Sequence, residues 1–134
     1  DGFYGWPANQ RMTSMMAPTL VTSPGGRTIS LGSGGSNRLR TAILQVLVNI
    51  IDYGMSLDQA INHSRIHFEN DWLNIEPGFD PGAVTLLKDE ISNIKSWQSQ
   101  NLFFGGVHAV SEYKGQFDGA GDQRRGGVAS IVYG

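Results

Sequence analysis

The part of this sequence best suited to chemistry is a glycine-rich segment ahead of a long apolar run. Residues 32–38 read GSGGSNR, and residues 41–52 read TAILQVLVNIID. A glycine-rich turn that enters a helix presents free backbone N–H groups, backed by the positive end of the helix dipole. Such groups can bind an anion or the oxyanion of an acyl-transfer intermediate. Taken alone, the segment favours a simple turn capped by Ser36 or Asn37 over these roles.

Two phosphate-binding motifs do not fit this segment. A phosphate loop requires a lysine after its glycines, and residues 32–38 contain none. The dinucleotide-binding fingerprint fails because its third glycine is missing and the pattern predicts no parallel β-α-β unit. An anion or oxyanion role outside these motifs therefore remains the chemical alternative to a plain turn.

A second polar segment, RMTSMMAPT at residues 11–19, precedes a predicted strand. Its hydroxyl groups can bind a small carboxylate at the strand entrance, or they can bond to the local backbone, and the sequence leaves both open. We expect its methionines, Met12, Met15 and Met16, to fill gaps in the core.

Two histidines have the spacing of helical metal ligands. His63 and His67 lie four residues apart, with Glu69 nearby. The local pattern is that of a strand, however, so we expect structural or solvated histidines. The sequence predicts neither a bound metal nor a cofactor.

The charged segment near the end of the chain has two interpretations. It contains Asp118, Asp122, Arg124 and Arg125. Such a segment is usually a solvated loop, but its DQRR sequence can also form an ion-pair network that fixes a turn. Both interpretations remain open at this point.

The elements that must position these residues follow from hydrophobic periodicity and turn residues. The first elements are an irregular lead-in over 1–12, a hairpin over 17–33 around Pro-Gly-Gly, and a buried helix over 38–53 that Gly54 ends. A short helix opened by the capping box of Ser56 and Gln59 follows, and then two strands within 64–77 joined at Asn70 and Asp71. The last elements are a helix from Pro81, with Ala83, Val84, Leu86 and Leu87 facing inward, and strands at 105–113 and 127–133 joined by a polar loop. This order predicts an α+β arrangement with mostly antiparallel pairing.

Composition limits the class of protein. The chain has 134 residues, a length that suits one domain, so we expect residues 1–134 to form a single domain. A net charge of −2 gives no electrostatic basis for binding nucleic acid. The absence of cysteine excludes disulfides and thiolate metal sites, and no apolar run is long enough to predict a membrane span.

Five segments, read together, resemble the C-terminal part of the small subunit of the γ-glutamyltranspeptidases. They are RMTSMMAPT (11–19), GSGGSNR (32–38), NIIDYGMSLDQAI (49–61), SRIHFE (64–69) and DQRR (122–125). The segments run over nearly the whole chain in the family's order, and such a set is far more specific than any single motif. The resemblance implies an α+β fold, a mostly antiparallel sheet flanked by helices, within the αββα sandwich of N-terminal-nucleophile hydrolases.

The resemblance implies a γ-glutamyltransferase or glutathione hydrolase matured by autocatalytic cleavage. The threonine freed by cleavage attacks the γ-glutamyl carbonyl with its own α-amino group as base, and the acyl group then passes to water or to an acceptor amino acid or peptide. Substrates would be glutathione and related γ-glutamyl compounds. Partners would be the large subunit and the upstream part of the small subunit, and export to the periplasm or the medium is compatible with the family.

The resemblance also assigns roles to four positions of this chain. The backbone N–H groups of Gly35 and Ser36 would form the oxyanion hole. Ser14 matches the first of two serines that hold the α-carboxylate of the substrate, and Met15 stands where the second would be. The chemistry of the hole uses backbone groups, so a serine at position 36 can serve if its backbone conformation is attainable.

The nucleophile itself has no counterpart in this chain. Thr13 and Thr19 come after the position where the family carries its catalytic threonine. We therefore expect a fragment with half a site, inactive by itself and prone to self-association. Two alternatives remain: the same scaffold acting on another acyl substrate, such as a cephalosporin side-chain amide or poly-γ-glutamate, which Met15 suggests, and a non-catalytic ligand-binding or interaction module.

Overall fold

The computed structural model describes residues 5, 7–11 and 15–132. The strands in this part of the chain are β1 (Thr19–Thr22), β2 (Thr28–Gly34), β3 (Ile66–Glu69), β4 (Trp72–Ile75), β5 (Ile94–Ser96), β6 (Gly106–Tyr113) and β7 (Gln116–Ala120). The helices are α1 (Arg38–Ile51), α2 (Leu57–Asn62) and α3 (Pro81–Glu90), with short 3₁₀ turns at Leu102–Phe104 and Gln123–Arg125. The predicted α+β class is confirmed.

The larger sheet has the strand order β1-β2-β6-β7, and each neighbouring pair is antiparallel. The predicted hairpin of β1 and β2 is confirmed. Strand β2 pairs along its whole length with β6, which aligns Gly34 with Gly106 at one end of the sheet. This register brings the glycine-rich segment beside a second glycine at the point where β2 leads into α1.

The core lies between the larger sheet and the helices α1 and α2. Alternate residues of β2 and β6 point to this face, and Ile29, Leu31, Val107 and Ala109 are all at most 5% exposed. The helices contribute Leu39, Ala42, Ile43, Val46, Ile50, Leu57, Ala60 and Ile61. Full burial of an aliphatic side chain contributes roughly 1.5–3 kcal/mol relative to exposure. This packing fixes where α1 begins relative to the sheet.

The predicted ends of these helices are also confirmed. Gly54 has a positive φ of +64° just after α1, and the Met55 N–H bonds back to the Asn49 carbonyl at 3.0 Å. Ser56 and Gln59 form the capping box at the start of α2.

The smaller sheet has the strand order β3-β4-β5. Its first two strands form the predicted hairpin, with Asn70 and Asp71 at φ +51° and +62°, both positive as in a type I′ turn. Strand β5 pairs parallel to β4 and was not predicted, because it has only three residues and no alternating pattern of its own.

Helix α3 differs from the prediction that four of its apolar residues face inward. Val84 and Leu87 are half-buried, Ala83 is exposed and Leu86 is 70% exposed. The helix forms because the Asp80 side chain accepts a hydrogen bond from the Ala83 N–H at 2.8 Å and Pro81 follows at the first turn. In the described residues, Val84, Thr85 and Lys88 of this helix line a groove whose other wall is formed by residues 75–79, Ser96 and Trp97.

The last part of the chain also differs from the prediction. The segment expected to be a polar loop contains β7, which joins β6 through a tight turn with Lys114 at φ +51° and Gly115 at φ +77°. Residues 127–132, expected to be a strand, pair with no strand in the described part, and Val128 and Val132 are 89% and 88% exposed. The tight turn at Lys114 and Gly115 explains the difference, because it places residues 116–120 directly beside β6, where they form the edge strand of the sheet.

No helix in the described residues combines the length and apolar character needed to cross a membrane.

Candidate functional site

The glycine-rich segment forms a tight loop between β2 and α1. We call residues 34–36 the glycine loop. Gly35 has φ +139°, a backbone conformation that residues with a side chain rarely adopt. Gly35 and Ser36 are exposed, and neither of their N–H groups donates a hydrogen bond to another described residue. Within the described residues, two backbone donors are therefore without an acceptor at the N-terminal end of a 14-residue helix, where the helix dipole favours negative charge.

The predicted helix cap is not formed by Asn37. Asn37 is the N-cap residue of α1, but its side chain makes no capping hydrogen bond. Its amide instead donates to Oε1 of Glu69 at 2.9 Å, and Arg38 Nη1 donates to Oε2 of the same carboxylate at 3.0 Å. The side chain of Ser36 also points elsewhere, with Oγ 3.6 Å from the Met15 sulfur. The start of α1 is therefore tied to β3 by Glu69 rather than capped locally.

The electrostatic surroundings of Glu69 stabilise its charged form. The hydrogen bond from Asn37 contributes most to lowering the pKa of Glu69, and the hydrogen bond and charge of Arg38 add to it, against a smaller opposing effect of burial. The carboxylate therefore holds both partners at neutral pH. The Arg38 guanidinium also lies 4.7 Å from the centroid of the Phe103 ring, a cation–π contact.

His67 is a buried member of the same cluster. It is 5% exposed, and its Nδ1 lies 2.8 Å from Thr41 Oγ1 on α1. Its Nε2 is 3.5 Å from Glu69 Oε2. Burial lowers the pKa of His67, and this outweighs the raising effect of the Glu69 charge. We assign it a structural role in joining β3 to α1.

The two histidines with metal-ligand spacing do not form one site. His63 lies at the end of α2, where Nδ1 is 3.1 Å from the Ser64 carbonyl oxygen, while His67 lies on β3. Among the described residues, no three His, Asp or Glu side chains are grouped for a metal ion.

Arg125 lies directly on the glycine loop. Its Nη2 donates to the Gly34 carbonyl oxygen at 3.1 Å. A Cβ atom placed on Gly34 would lie 3.2 Å from Cζ of Arg125, and one placed on Gly106 would lie only 2.2 Å from its Cδ. The paired glycines of β2 and β6 therefore leave the room in which the arginine side chain lies.

The DQRR segment forms a buried ion-pair network, the second of its two interpretations. The side chains of Asp122, Arg124 and Glu76 are fully buried, and that of Arg65 is 2% exposed. Arg65 Nη2 lies 2.8 Å from Asp122 Oδ2, while Arg124 pairs with Glu76 through Nη2 and Nε and contacts Asp122 Oδ1 at 3.2 Å. Two cations and two carboxylates balance one another in this network.

The network stabilises its own charges and fixes several backbone segments. Burial alone would raise the pKa of Asp122, but the Arg65 charge and hydrogen bonds from the Val107 and Arg124 N–H groups lower it overall. Burial would lower the pKa of Arg124, but hydrogen bonding and attraction to Glu76 raise it. The bonds to Val107, to the Asn101 N–H and to the His63 carbonyl tie β6 and two loops to the 3₁₀ turn at 123–125.

The predicted carboxylate-binding segment is described only in part. Ser14 and Met12 lie outside the described residues. Met15 and Met16 are 59% and 82% exposed, so the prediction that they fill the core is wrong for both. Residues 15–18 belong to no helix or strand, and Met15 contacts the glycine loop, where Ser36 Oγ lies 3.6 Å from its sulfur.

Sequence reasoning missed several residues that build this site. Glu69 was considered only beside the histidines, while Glu76, Gly106 and Arg65 were assigned no role. The hydrogen bonds from Asn37 to Glu69, from Asn101 to Glu76 and from Gly106 to Ser33 join residues that are 25 to 73 positions apart in the sequence. No local spacing could have revealed such pairs. The one usable signal was the unusual Arg-Arg pair that follows an aspartate in DQRR.

The chain is similar to known proteins over most of its length. The family model for gamma-glutamyltranspeptidase matches residues 2–132. The glutathione hydrolase proenzyme of Escherichia coli strain K12 is 40% identical over 82 residues, covering 60% of this chain and 14% of that protein. The capsule biosynthesis protein CapD proenzyme of Bacillus anthracis is 33% identical over 130 residues, covering 96% of this chain and 24% of that protein.

A solved structure has the same fold. The gamma-glutamyltranspeptidase from Pseudomonas nitroreducens, complexed with L-DON, superposes with a TM-score of 0.77 at 27% identity, covering 96% of this chain and 67% of that chain. The predicted relation to the N-terminal-nucleophile hydrolases is confirmed by this match. The chain spans 14% to 24% of the length of the first curated relatives that it matches.

Proposed function

Because the chain belongs to the gamma-glutamyltranspeptidase family, we propose that it is the C-terminal part of the small subunit of a γ-glutamyltransferase or glutathione hydrolase. In this role it supplies the oxyanion hole and part of the acyl-binding pocket, while the nucleophilic threonine comes from outside the 134 residues. The observation that carries the proposal is the glycine loop, where two N–H donors at the start of a buried helix have no acceptor among the described residues.

The proposed chemistry is acyl transfer through a covalent intermediate. The threonine hydroxyl attacks the γ-glutamyl carbonyl carbon, its proton passes to the free α-amino group, and the carbonyl oxygen becomes an oxyanion. The Gly35 and Ser36 N–H groups donate to this oxygen, and the dipole of α1 adds positive potential. Collapse of the intermediate releases the amine, after which water or an acceptor amine attacks the ester and regenerates the threonine.

To increase the rate, the hole must bind the oxyanion of the transition state more strongly than it binds the carbonyl oxygen of the bound substrate. A loop fixed before the substrate arrives fulfils this condition, because no reorganisation is needed when charge develops. On one side of the two donors Glu69 holds the side chains of Asn37 and Arg38, and on the other Arg125 holds the backbone carbonyl of Gly34. The anchors support a preformed hole.

The proposed substrates are glutathione and related γ-glutamyl compounds, with water, amino acids or peptides as acceptors. In this assignment Ser14 binds the α-carboxylate of the glutamyl group, and Met15 lies beside it. Catalysis further requires the large subunit and the upstream part of the small subunit. We therefore propose that the 134-residue chain alone is inactive and self-associates.

The full-length protein that carries this chain tests the proposal. We expect it to hydrolyse γ-glutamyl-p-nitroanilide, and replacement of its N-terminal threonine by alanine should abolish turnover. The isolated chain should show none. Turnover by the isolated chain at the rate of the full-length protein would contradict the assignment of the nucleophile, and an inactive full-length protein that binds no γ-glutamyl boronate would favour a non-catalytic module.

A second candidate function keeps the mechanism but changes the acyl group. Met15 offers a thioether where a serine hydroxyl would bind the α-carboxylate, and the contact between its sulfur and Ser36 Oγ supports a role for it beside the proposed oxyanion hole. Relatives of this chain include a capsule biosynthesis protein and acylases. The corresponding substrates are poly-γ-glutamate and side-chain amides such as glutaryl amides.

Met15→Ser separates the two candidates in the full-length protein. If the natural acyl group carries an α-carboxylate bound only by Ser14, the variant should lower KM for γ-glutamyl-p-nitroanilide by about 10- to 100-fold, as expected for one added hydrogen bond to a charged group. The ratio of kcat/KM for glutathione to that for a glutaryl amide is the measurement. A wild-type preference for the glutaryl amide that Met15→Ser reverses would favour the second candidate.

A further inference from the structure

We propose that Arg125 is a positioning residue for the glycine loop: by holding the Gly34 carbonyl it aims the Gly35 N–H into the oxyanion hole. The inference rests on the proposed function, because it assigns a task at the same site. It adds a residue that contacts the loop without contacting the substrate.

The side-chain hydrogen bond of Arg125 and its close packing at Gly34 and Gly106 are both with the backbone around the loop. Its Nη2 donates to the Gly34 oxygen at 3.1 Å, and its side chain lies against the bare Cα atoms of Gly34 and Gly106. No carboxylate of the described residues lies within ion-pair distance of its guanidinium. The hydrogen bond to Gly34 is therefore charge-assisted, and the charge is not neutralised by a salt bridge in this part of the chain.

Planarity of the peptide bond transmits the effect. The Gly34 carbonyl and the Gly35 N–H belong to one planar trans peptide and point in opposite directions. When Arg125 fixes the oxygen on one side, the hydrogen on the other side has a fixed direction. The same hydrogen bond withdraws electron density from the amide, which makes its N–H a stronger donor.

The loop needs this restraint because two of its three residues are glycines. Gly34 is the last residue of β2, whereas Gly35 lies outside the strand and occupies φ +139°, one of the many backbone conformations accessible to glycine. The nearby hydroxyl of Ser33 is a weaker partner, with Oγ 3.3 Å from the same oxygen. Arg125 thus supplies the charged restraint on the peptide that carries the first oxyanion donor.

Arg125 is itself held in place by its neighbour. The 3₁₀ turn at 123–125 is capped by Asp122 at its start and by Gly126 at its end, and the φ of Gly126 is +62°. Arg124, the preceding residue, is anchored to Glu76 and Asp122 in the buried network. One arginine of the pair fixes the turn, and the other extends from that turn onto the glycine loop.

The test uses the matured full-length protein and γ-glutamyl-p-nitroanilide. Removing one oxyanion donor costs about 100- to 1,000-fold in kcat, so Arg125→Ala, which only misorients a donor, should lower kcat by roughly 10- to 100-fold with KM nearly unchanged. Arg125→Lys should recover part of this loss, because an ammonium can donate to Gly34 but cannot lie flat over two glycines. Arg40→Ala, an exposed arginine on α1, is the control and should leave kcat unchanged.

A second variant probes the same contact without removing the charge. Gly106→Ala should displace Arg125, because the added Cβ would lie 2.2 Å from its Cδ. We expect a loss of kcat similar to that of Arg125→Ala, and the double variant should be no worse than either single variant. Full multiplication of the two losses would show independent effects and overturn the inference.

The outcomes separate this inference from the proposed function. An inactive wild-type protein that also fails to bind a γ-glutamyl boronate overturns the proposed function and the inference with it. An active wild type in which Arg125→Ala keeps its kcat overturns the inference alone, and so does an increase in KM at constant kcat, which would make Arg125 a substrate-binding residue. Weaker binding of the boronate by Arg125→Ala, by the same factor as kcat, supports positioning of the hole.

Discussion

At the scale of the residue, Gly35 limits the site most strongly. Its φ of +139° lies where an L-residue with a Cβ is strained, whatever space surrounds it. Ser36 is the next residue and precedes the N-cap of α1. The family resemblance assigns a glycine to this position, but a serine offers the same backbone N–H. The conformational requirement therefore falls on one of the two proposed donors, and the side chain of the other is free to contact Met15.

Gly35→Ala tests this requirement. Strain at such a position costs about 1–3 kcal/mol, so the loop should relax and kcat for γ-glutamyl-p-nitroanilide should fall by at least about 10-fold. The matched control is Ser36→Gly, which keeps the N–H and should retain most of the activity. Equal activity of Gly35→Ala and wild type would rule out a strained donor at this position.

His67 gives a pH prediction at the same scale. Its pKa is lowered in the folded protein by burial, so below about pH 6.5 the unfolded chain binds more protons than the folded one. The contribution of His67 to the free energy of unfolding should therefore be present at pH 7.5 and decrease as the pH falls toward 5.

The measurement is urea unfolding of the full-length protein at pH 7.5 and pH 5.0, compared with His67→Gln. The groups that face His67 are Thr41, Glu69, Arg38, Arg40 and Phe103. The pKa of Glu69 is also lowered, from 4.5, so its contribution is lost only below this pH range. If His67→Gln loses as much stability between the two pH values as the wild type, the prediction is wrong.

At the scale of the element, hydrophobic periodicity correctly predicted the elements that pack against each other. Its predictions failed for elements that bury little apolar surface. The hairpin, α1 and α2 were predicted because alternation, a broad apolar face and a capping box are local signals. The predicted inward face of α3 was wrong for Ala83 and Leu86, because the described residues beside the helix cover only part of it. Strand β7 was hidden in a polar sequence, since an edge strand needs little apolar surface to pair.

The 3₁₀ turn that carries Arg125 depends on the buried network. Arg124→Met would leave Glu76 buried without its main partner, which should lower the free energy of unfolding by about 3–5 kcal/mol. Arg124→Met combined with Glu76→Leu should lose less than the two single variants added together. Urea unfolding is the measurement, with the exposed Arg40→Met as control. A loss below about 1 kcal/mol for Arg124→Met would show that the network does not support the turn.

At the scale of the whole molecule, one face of the larger sheet is covered only in part within the described residues, by the segment 128–132. The face opposite α1 and α2 presents Leu20, Val110 and Phe117, which are 67%, 57% and 65% exposed. A groove of about 630 Å³ lies on this face, between the sheet and residues 128–132. In our proposal the remainder of the longer protein covers this face.

The isolated chain should associate through this face. Gel filtration with light scattering should give a mass above the 14.6 kDa of the chain, and Phe117→Lys should shift it toward the monomer because a buried charge opposes association. The control is Leu86→Lys on α3, which changes an equally exposed leucine outside the face. A clean monomer of the wild-type chain would contradict this prediction.

The sequence by itself determined the family, the α+β class and the segments from which the proposed hole is built. These features depend on local order: a glycine-rich turn before an apolar helix, a hairpin, a capping box and five motifs in sequence. The roles of Gly35, Ser36, Ser14 and Met15 remain proposals, and Ser14 lies outside the described residues.

Tertiary structure alone decided what holds the glycine loop. Glu69 reaches Asn37 over 32 residues, and Arg125 reaches Gly34 over 91, because strand register and the buried network bring them together. It also turned DQRR from a possible solvated loop into a buried support. Contacts between residues so far apart depend on how the sheet pairs and which charges it buries, and no local spacing in the sequence encodes that.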